Sequence, residues 1–197
     1  HVGHADLIVS KQALINNKST FCIIGTGRTA FFFDWFFKVR DHYETYIDTS
    51  TLLPVKFIRD VEEGGHFINQ KYTFFHKENI VQTQDSMFPI PNNAQDMLSA
   101  FFYARTFKKY ELNTKQIFNI PIFMDEEIYF LEIRYLYNKI LNTDFGKIEC
   151  MVFQPKMQEG RVFQDGEKMK IWISDDDNHI LIKVETEIWA GTIKALI

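Results

Sequence analysis

Apolar and polar residues alternate with period two over most of this chain, and that pattern constrains the fold more than any other feature. The clearest stretch runs from Ile180 to Ala190, where mostly apolar side chains alternate with Lys183, Glu185 and Glu187. Successive side chains of a β-strand point to opposite faces, so this alternation is typical of a strand with one buried and one solvated face. We therefore predict a mainly β protein.

Short turn sequences separate the alternating segments and predict hairpins, as at Gly64-Gly65. Because an antiparallel sheet must cover its apolar face, we predict an antiparallel meander that forms a strongly curled sheet or half-barrel, within one β-rich domain over residues 1–197. The strands expected along the chain are 42–48, 55–62, 66–75, 117–123, 128–141, 148–154, 169–173 and 180–190.

One segment departs from the alternation and predicts an inserted helix near 94–105. In "PNNAQDMLSAFFYARTF", Asn93 can cap a helix, and Asp96 would lie in the first turn near the positive end of its dipole. Pro89 and Pro91 precede the segment and block continuation of a strand. The residues that follow helical spacing are Met97, Leu98, Phe101, Phe102 and Arg105.

Six aromatic rings occupy the stretch from Phe31 to Phe37, interrupted only by Asp34. We predict a short helical turn near 31–37 whose rings fill one end of the curled sheet. The preceding "GTGRTA" would suit a phosphate-binding loop only at the start of a long helix, so we interpret Gly25 and Gly27 as a bend that interrupts a strand.

The composition narrows the class of protein. A net charge of −4 leaves no basic excess for neutralising a nucleic-acid backbone. No apolar run approaches the roughly 20 residues that a membrane-spanning helix needs, so we expect no transmembrane span. Cys22 and Cys150 match no metal or redox spacing; buried free thiols are the favoured interpretation, and one disulfide is the alternative.

The sequence shows no catalytic constellation and no cofactor motif. The histidines are scattered, no G-x-S-x-G elbow is present, and "SDDDNH" at 174–179 lacks the spacing of a calcium loop. The acidic cluster at Asp125, Glu126 and Glu127 lies in a predicted turn, where such residues are common for solubility. We therefore predict no catalytic residue, no metal and no cofactor.

Charged residues among aromatic ones are the remaining candidates, because an arginine beside rings can stack on them and pair with a carboxylate. One interpretation is an ion-paired corner between structural elements. The other is a pocket in which arginine meets an anionic or sugar-like group beside Trp35 and Tyr103. The candidate ligand-binding residues are Arg28, Asp34, Trp35, Arg40, Asp96, Tyr103 and Arg105.

Several blocks of the sequence together resemble a known family. "GTGRTAFFFDWFFKVRDHYETYID", "LLPVKFIRDVEEGG", "NAQDMLSAFFYAR", "IPIFMDEEIY", "GKIECMVFQP", "EGRVF" and "WISDDDNHILIKVE" look like the recurring blocks of the domain-of-unknown-function 3108 family of exported bacterial proteins. The resemblance implies an envelope protein that enters by a signal peptide, with a curled all-β fold similar to YmcC-like and lipoprotein-carrier sheets. It implies no activity and no catalytic residue.

These observations favour a non-enzymatic exported protein of the periplasm or outer membrane that binds an apolar or glycan-containing envelope component on the concave side of its sheet. The chain begins at His1 rather than Met, which agrees with removal of a signal peptide or a tag. The alternative is a protein-interaction module of an envelope assembly that uses an edge strand or exposed aromatic residues. A hydrolytic enzyme ranks third. We expect a lipid, a glycan or an envelope protein as partner, and no nucleic acid.

Overall fold

The structure, a computed structural model, describes residues 3–15, 17–32, 34–107, 117–157, 169–188 and 191–196. The chain divides into two compact units, His1–Ala104 with Ile122–Ile128, and Arg105–Pro121 with Tyr129–Ile197. Antiparallel sheets make up most of the described residues, which confirms a mainly β fold. The organisation as one domain over 1–197 stays a prediction.

The first unit contains a seven-stranded sheet whose spatial order is the chain order, an antiparallel meander as predicted. Its hairpin of 54–63 and 66–75, joined at Gly64-Gly65, confirms the predicted turn. The first strand and the two short last strands lie where the sequence analysis expects none. The strands are β1 (Gly3–Ile15), β2 (Lys18–Thr29), β3 (Val39–Asp48), β4 (Pro54–Glu63), β5 (His66–Phe75), β6 (Ile80–Gln82) and β7 (Met87–Pro89).

The glycines of "GTGRTA" do not interrupt β2, so that prediction is wrong. The pairing of β2 with both of its neighbours continues in register through Gly25 and Gly27. An added Cβ at Gly25 would lie 3.8 Å from the side chain of Leu98, and one at Gly27 would lie 3.6 Å from Asp41. Both distances are ordinary van der Waals contacts, so a Cβ would fit at either position of this regular strand.

The core of the first unit lies on the face of the sheet formed by odd-numbered residues of β4 and even-numbered residues of β5. Phe57 and Tyr72 stack with ring centroids 5.5 Å apart, and Phe123 meets Tyr72 edge-on at 5.0 Å. Tight aromatic and aliphatic packing of this kind is the main stabilising contribution to such a fold. The buried cluster comprises Phe57, Tyr72, Phe74, Val81, Ile90, Ala94 and Phe123.

The helix α1 runs from Ser99 to Ala104 and is shorter than the predicted 94–105. The start differs because Asn93, expected to be the cap, adopts a positive φ of 60° in a turn. Asp96 caps the helix instead: its Oδ1 accepts the backbone N–H groups of Leu98 at 2.9 Å and Ser99 at 2.8 Å. The Ser99 hydroxyl accepts the N–H of Asp96 at 2.9 Å, which completes a reciprocal cap.

The second sheet has six strands in the order β13-β12-β11-β10-β9-β8, again a meander. It confirms the predicted hairpins, whose turns lie at 125–126 and 144–145. The predicted strand 180–190 corresponds to an observed strand over 181–188, and 189–190 lie outside the described residues. A buried cluster of Cys150, Val152, Trp172 and Ile182 packs on it. The strands are β8 (Ile117–Met124), β9 (Glu127–Thr143), β10 (Gly146–Met157), β11 (Lys170–Ser174), β12 (Leu181–Ile188) and β13 (Gly191–Leu196).

Cys22 and Cys150 are both free and buried, which confirms the favoured interpretation of the two thiols. Each thiol is covered by its own sheet, and burial raises the pKa of both.

Within the described ranges, no helix combines the length and the apolar character that crossing a membrane requires.

Candidate functional site

Residues 30–38 connect β2 to β3, and we refer to them as the aromatic loop. The pairing of the two strands ends at Arg28 and Arg40, so the rings lie beyond the last paired residues of the sheet. The prediction of a helical turn near 31–37 that fills the interior is therefore wrong: the described residues form non-helical turns, and Phe33 lies outside them. The exposed rings are Phe31 at 93%, Phe32 at 77%, Trp35 at 85%, Phe36 at 69% and Phe37 at 54%.

An ion pair between Asp34 and Arg40 ties the middle of the aromatic loop to its base. Nη1 of Arg40 donates to Oδ1 of Asp34 at 3.0 Å, and Nη2 donates to Oδ2 at 2.5 Å, a two-point geometry that fixes direction as well as distance. The Thr29 hydroxyl donates to the same carboxylate at 2.5 Å and accepts the N–H of Val39 at 3.0 Å. The structure thus contains the ion-paired corner; ligand binding by these residues stays a prediction.

A second set of contacts holds the end of the loop. The Lys38 ammonium donates to both carboxylate oxygens of Glu62 at 2.8 Å, and the N–H of Gly64 donates to the Lys38 carbonyl at 2.9 Å. Gly64 has a φ of +56°, and a Cβ at this position would lie 2.5 Å from Cε2 of Phe37. Glycine therefore serves two purposes here, since it accepts the left-handed turn and lets the Phe37 ring lie against the backbone.

The charges at the base of the loop are mutually neutralised. The hydrogen bonds from Arg40 and Thr29 lower the pKa of Asp34, and the carboxylate of Asp34 raises the pKa of Arg40. Both partners are therefore ionised at neutral pH. Arg28 is exposed on β2, opposite Arg40 in the strand register, so its guanidinium lies at the same end of the sheet as the rings.

Asp96 lies in the interior of the first unit. Its side chain is fully buried, and Oδ2 accepts the Thr45 hydroxyl at 2.6 Å while Oδ1 caps α1. Thr45 and Arg40 are five positions apart on β3 and so face opposite sides of the sheet. Burial raises the pKa of Asp96 to about 6 despite these hydrogen bonds. The structure therefore separates Asp96 from Arg40 and the loop, and a role of Asp96 in ligand binding stays a prediction.

The last two candidates lie in different units. Tyr103 is a half-buried residue of α1 in the first unit. Arg105 belongs to the second unit, where its Nη2 donates to the Asn178 carbonyl at 2.5 Å and its own carbonyl lies 2.7 Å from Nδ1 of His179. Of the seven candidates, the structure thus brings Arg28, Asp34, Trp35 and Arg40 together at one end of the first sheet.

A polar cluster that was not predicted from the sequence lies on the core face of the first unit. Arg59 is buried and its Nη1 contacts Oδ1 of Asp125 at 3.1 Å, while its guanidinium lies 6.0 Å from the Tyr43 ring. Burial, followed by the charge of Glu63, raises the pKa of Asp41 to about 6. The sequence pattern could have predicted this cluster. Asp41 and Arg59 occupy odd positions of β3 and β4, which share a face with the buried apolar residues of these strands.

The second unit contains an open pocket of about 260 Å³ on β8, β9 and β10. Its lining carries both signs of charge and so does not select an anionic or a cationic ligand. The lining residues are Ile117, Glu132, Arg134, Gln154 and Lys156. Across the parts of the chain that the structure describes, no three histidine, cysteine or acidic side chains converge as a metal site requires. The aromatic loop is therefore the most distinctive candidate site.

Comparisons with known proteins agree with this architecture and name no activity. No curated protein matches the chain. A solved structure, described as a beta-barrel-like protein of domain of unknown function DUF1849 from Brucella abortus, is similar over 99% of this chain and 86% of that chain, with a TM-score of 0.62 and 9% identity. At this identity the similarity shows the fold alone. The model of a family described as "Protein of unknown function (DUF3108)" matches residues 1–197, and the chain therefore belongs to the DUF3108 family.

Proposed function

We propose that this protein is a non-enzymatic exported β-module that binds an apolar component of the cell envelope, and that the aromatic loop forms the contact. The observation that carries the proposal is the exposure of five rings on one short loop, each more than half exposed. A soluble domain rarely leaves such a contiguous aromatic surface uncovered unless it binds something there. The predicted site on a concave face is a weaker candidate, since the rings on the inner face already pack on one another in the core of the first unit.

The chemistry of the loop fits the boundary between lipid head groups and acyl chains. Trp and Phe rings favour that boundary because one part of the environment is apolar and the other is hydrated. The cations at the base, Arg40 and Lys38, are already paired with Asp34 and Glu62, so the loop can approach an apolar surface without leaving these charges unpaired. Arg28 is an exposed arginine at the same end of the sheet, which suits a phosphate-bearing head group.

The ties at the base also reduce the cost of binding. A loop that is ordered only on contact loses conformational entropy at that moment, which weakens the affinity. Here the Asp34–Arg40 pair, the Thr29 hydroxyl and the Gly64–Lys38 hydrogen bond hold the backbone before any partner arrives. The edge-to-face contact of Trp35 with Phe36, with centroids 4.9 Å apart, orders the two rings relative to each other.

Two other classes of partner, glycans and envelope proteins, would contact the same rings. A glycan could stack a sugar face on Trp35, and an envelope protein could receive the loop in an apolar groove, as in the interaction-module alternative. A hydrolytic enzyme remains the third candidate. These classes make different predictions in the experiment below, because only the lipid-binding proposal requires that protein-free vesicles be sufficient.

Vesicle flotation with phosphatidylethanolamine–phosphatidylglycerol membranes tests the proposal. Replacing Trp35 and Phe36 together with serine should weaken vesicle binding at least about tenfold, since a loss of 1.4 kcal/mol suffices for that factor and a buried ring contributes more. Phe145→Ser is the matched control, because this ring is 85% exposed on the β9–β10 turn of the second unit. Equal binding by the double variant and the parent, or no binding by the parent, would contradict lipid binding through the loop.

A further inference from the structure

The two edges of the seven-stranded sheet differ in protection. One edge is β7, which has three residues and ends at Pro89, a residue without a backbone N–H. The other is β1, with 13 residues from Gly3 to Ile15 and no proline. Among the described strands β1 pairs with β2 alone, so one side of its backbone faces no other described strand. A long edge without proline is a template for pairing with another strand.

The middle of β1 is apolar on both faces. Leu7, Ile8 and Val9 are consecutive residues, and their side chains are 45%, 56% and 54% exposed. Since successive residues of a strand point to opposite faces, Leu7 and Val9 lie on one face and Ile8 on the other. An additional strand at this edge would cover all three side chains, whereas a ligand on one face would not.

We propose that a second copy of this chain pairs with β1 in antiparallel orientation, around a two-fold axis at Ile8. In this register Ile8 lies opposite Ile8 of the second copy, and Leu7 of each copy lies opposite Val9 of the other. Asp6 lies opposite Ser10, so no like charges face each other. Such a contact is isologous and closed, because each copy uses its only long edge of this sheet.

Other symmetric registers fit less well. An axis at Leu7 places Ile8 opposite Asp6, and an axis at Val9 places Ile8 opposite Ser10, so an apolar side chain meets a polar one in both. An axis at Lys11 matches apolar residues again, but it brings the two copies of Lys11 opposite each other. It also crosses the irregular pairing between Gln12 and Leu14, where β1 departs from a regular ladder.

The pairing determines where the aromatic loops of a dimer lie. The loop follows Thr29, which pairs with Gly3 at the start of β1. Antiparallel pairing reverses the strand direction, so the two loops would lie at opposite ends of the joined sheet. If the loops bind lipid as proposed above, a dimer would connect two vesicles and not bind one vesicle twice; this consequence alone depends on the proposed function.

Cysteine cross-linking tests the register in the full chain. Directly opposite residues of an antiparallel pair have Cα atoms about 4.5 to 5.5 Å apart, within the range of a disulfide. Ile8→Cys should therefore form a covalent dimer on mild oxidation. Val9→Cys is the matched control: its two copies would be offset along the strands, with Cα atoms about 8 Å apart, beyond a disulfide's reach. Cys22 and Cys150 are buried and identical in both variants.

Sedimentation velocity and vesicle clustering give independent results. The parent should be dimeric, Ile8→Lys should raise the dimer dissociation constant at least about tenfold, and Phe145→Lys should leave it unchanged. Ile8→Lys should also retain vesicle binding but lose clustering. A monomeric parent at about 100 μM, or equal cross-linking of the two cysteine variants, would overturn the proposed dimer. Vesicle binding by such a monomer would leave the lipid proposal intact, so the two failures are distinguishable.

Discussion

Replacing Asp96 with asparagine should change how the stability of the first unit depends on pH. Asparagine keeps the oxygen that caps α1 through the N–H groups of Leu98 and Ser99. In place of Oδ2 it carries an NH₂ group, to which the Thr45 hydroxyl can offer a lone pair while turning its own proton to the Lys56 carbonyl, 3.4 Å away. The substitution therefore removes the titrating group and preserves the shape and the hydrogen bonds.

The magnitude follows from the pKa of the buried carboxyl. Burial raises the pKa of Asp96 from 3.8 to about 6, so the folded protein holds the proton more tightly than the unfolded chain. Between these pH values the unfolded state releases its proton first, and the free energy of unfolding falls as the pH rises. The two pKa values differ by about 2, which corresponds to about 3 kcal/mol at 1.36 kcal/mol per unit. Above pH 6 the effect is complete.

Urea unfolding followed by circular dichroism, at intervals from pH 4 to pH 7, measures the effect. The asparagine variant should gain about 2 kcal/mol relative to the parent over this interval, because only the parent loses stability through Asp96 and the rest of its loss falls below pH 4. Asp41, whose pKa is also raised to about 6, titrates in both proteins and cancels in the difference. A difference that stays constant from pH 4 to pH 7 would refute the argument, since it would mean that the carboxyl ionises as readily in the folded protein as in water.

Three further predictions concern the aromatic loop and the thiols. Gly64→Ala should lower the melting temperature by several degrees, because alanine is strained at a φ of +56° and its methyl group would clash with the Phe37 ring; an unchanged melting curve would contradict the close contact. Asp34→Asn should accelerate amide hydrogen exchange in residues 30–38 by mass spectrometry, and unchanged exchange would show that the ion pair does not order the loop. Cys22 and Cys150 should resist a thiol reagent until urea unfolds the chain, because burial disfavours both thiolates; rapid labelling of the native protein would show that the sheets do not cover them.

The alternation of side chains predicted β3 to β5 and β8 to β12, because it reports a local property of the backbone, but it missed β1, β6, β7 and β13. In β4 and β5 the predicted bounds differ from the observed ones by a residue at most. The helix was harder to place, because Asn93 and Asp96 are both good capping residues. Only tertiary contacts decide between them: Asp96 meets Thr45, 51 positions away in the chain, whereas Asn93 remains in a turn.

The aromatic loop shows why composition cannot locate a site by itself. A run of rings from Phe31 to Phe37 is as compatible with a core as with a binding surface, since both consist of apolar side chains. The choice between core and surface is decided by the hydrogen bonds from Arg40 to Asp34, which fix a turn beyond the end of the sheet. The sequence contains both residues of this pair, but their hydrogen-bond geometry depends on the strand register.

In both sheets each strand pairs with its immediate neighbours along the chain. Within the described residues no strand of either sheet pairs with a distant segment of the chain, so each hairpin can close as soon as its second arm is available. Such an arrangement keeps the entropy cost of loop closure small and favours fast assembly. A polypeptide built this way can form its hairpins one after another while it leaves the ribosome, so that the hairpin of β1 and β2 is complete before the last residues emerge.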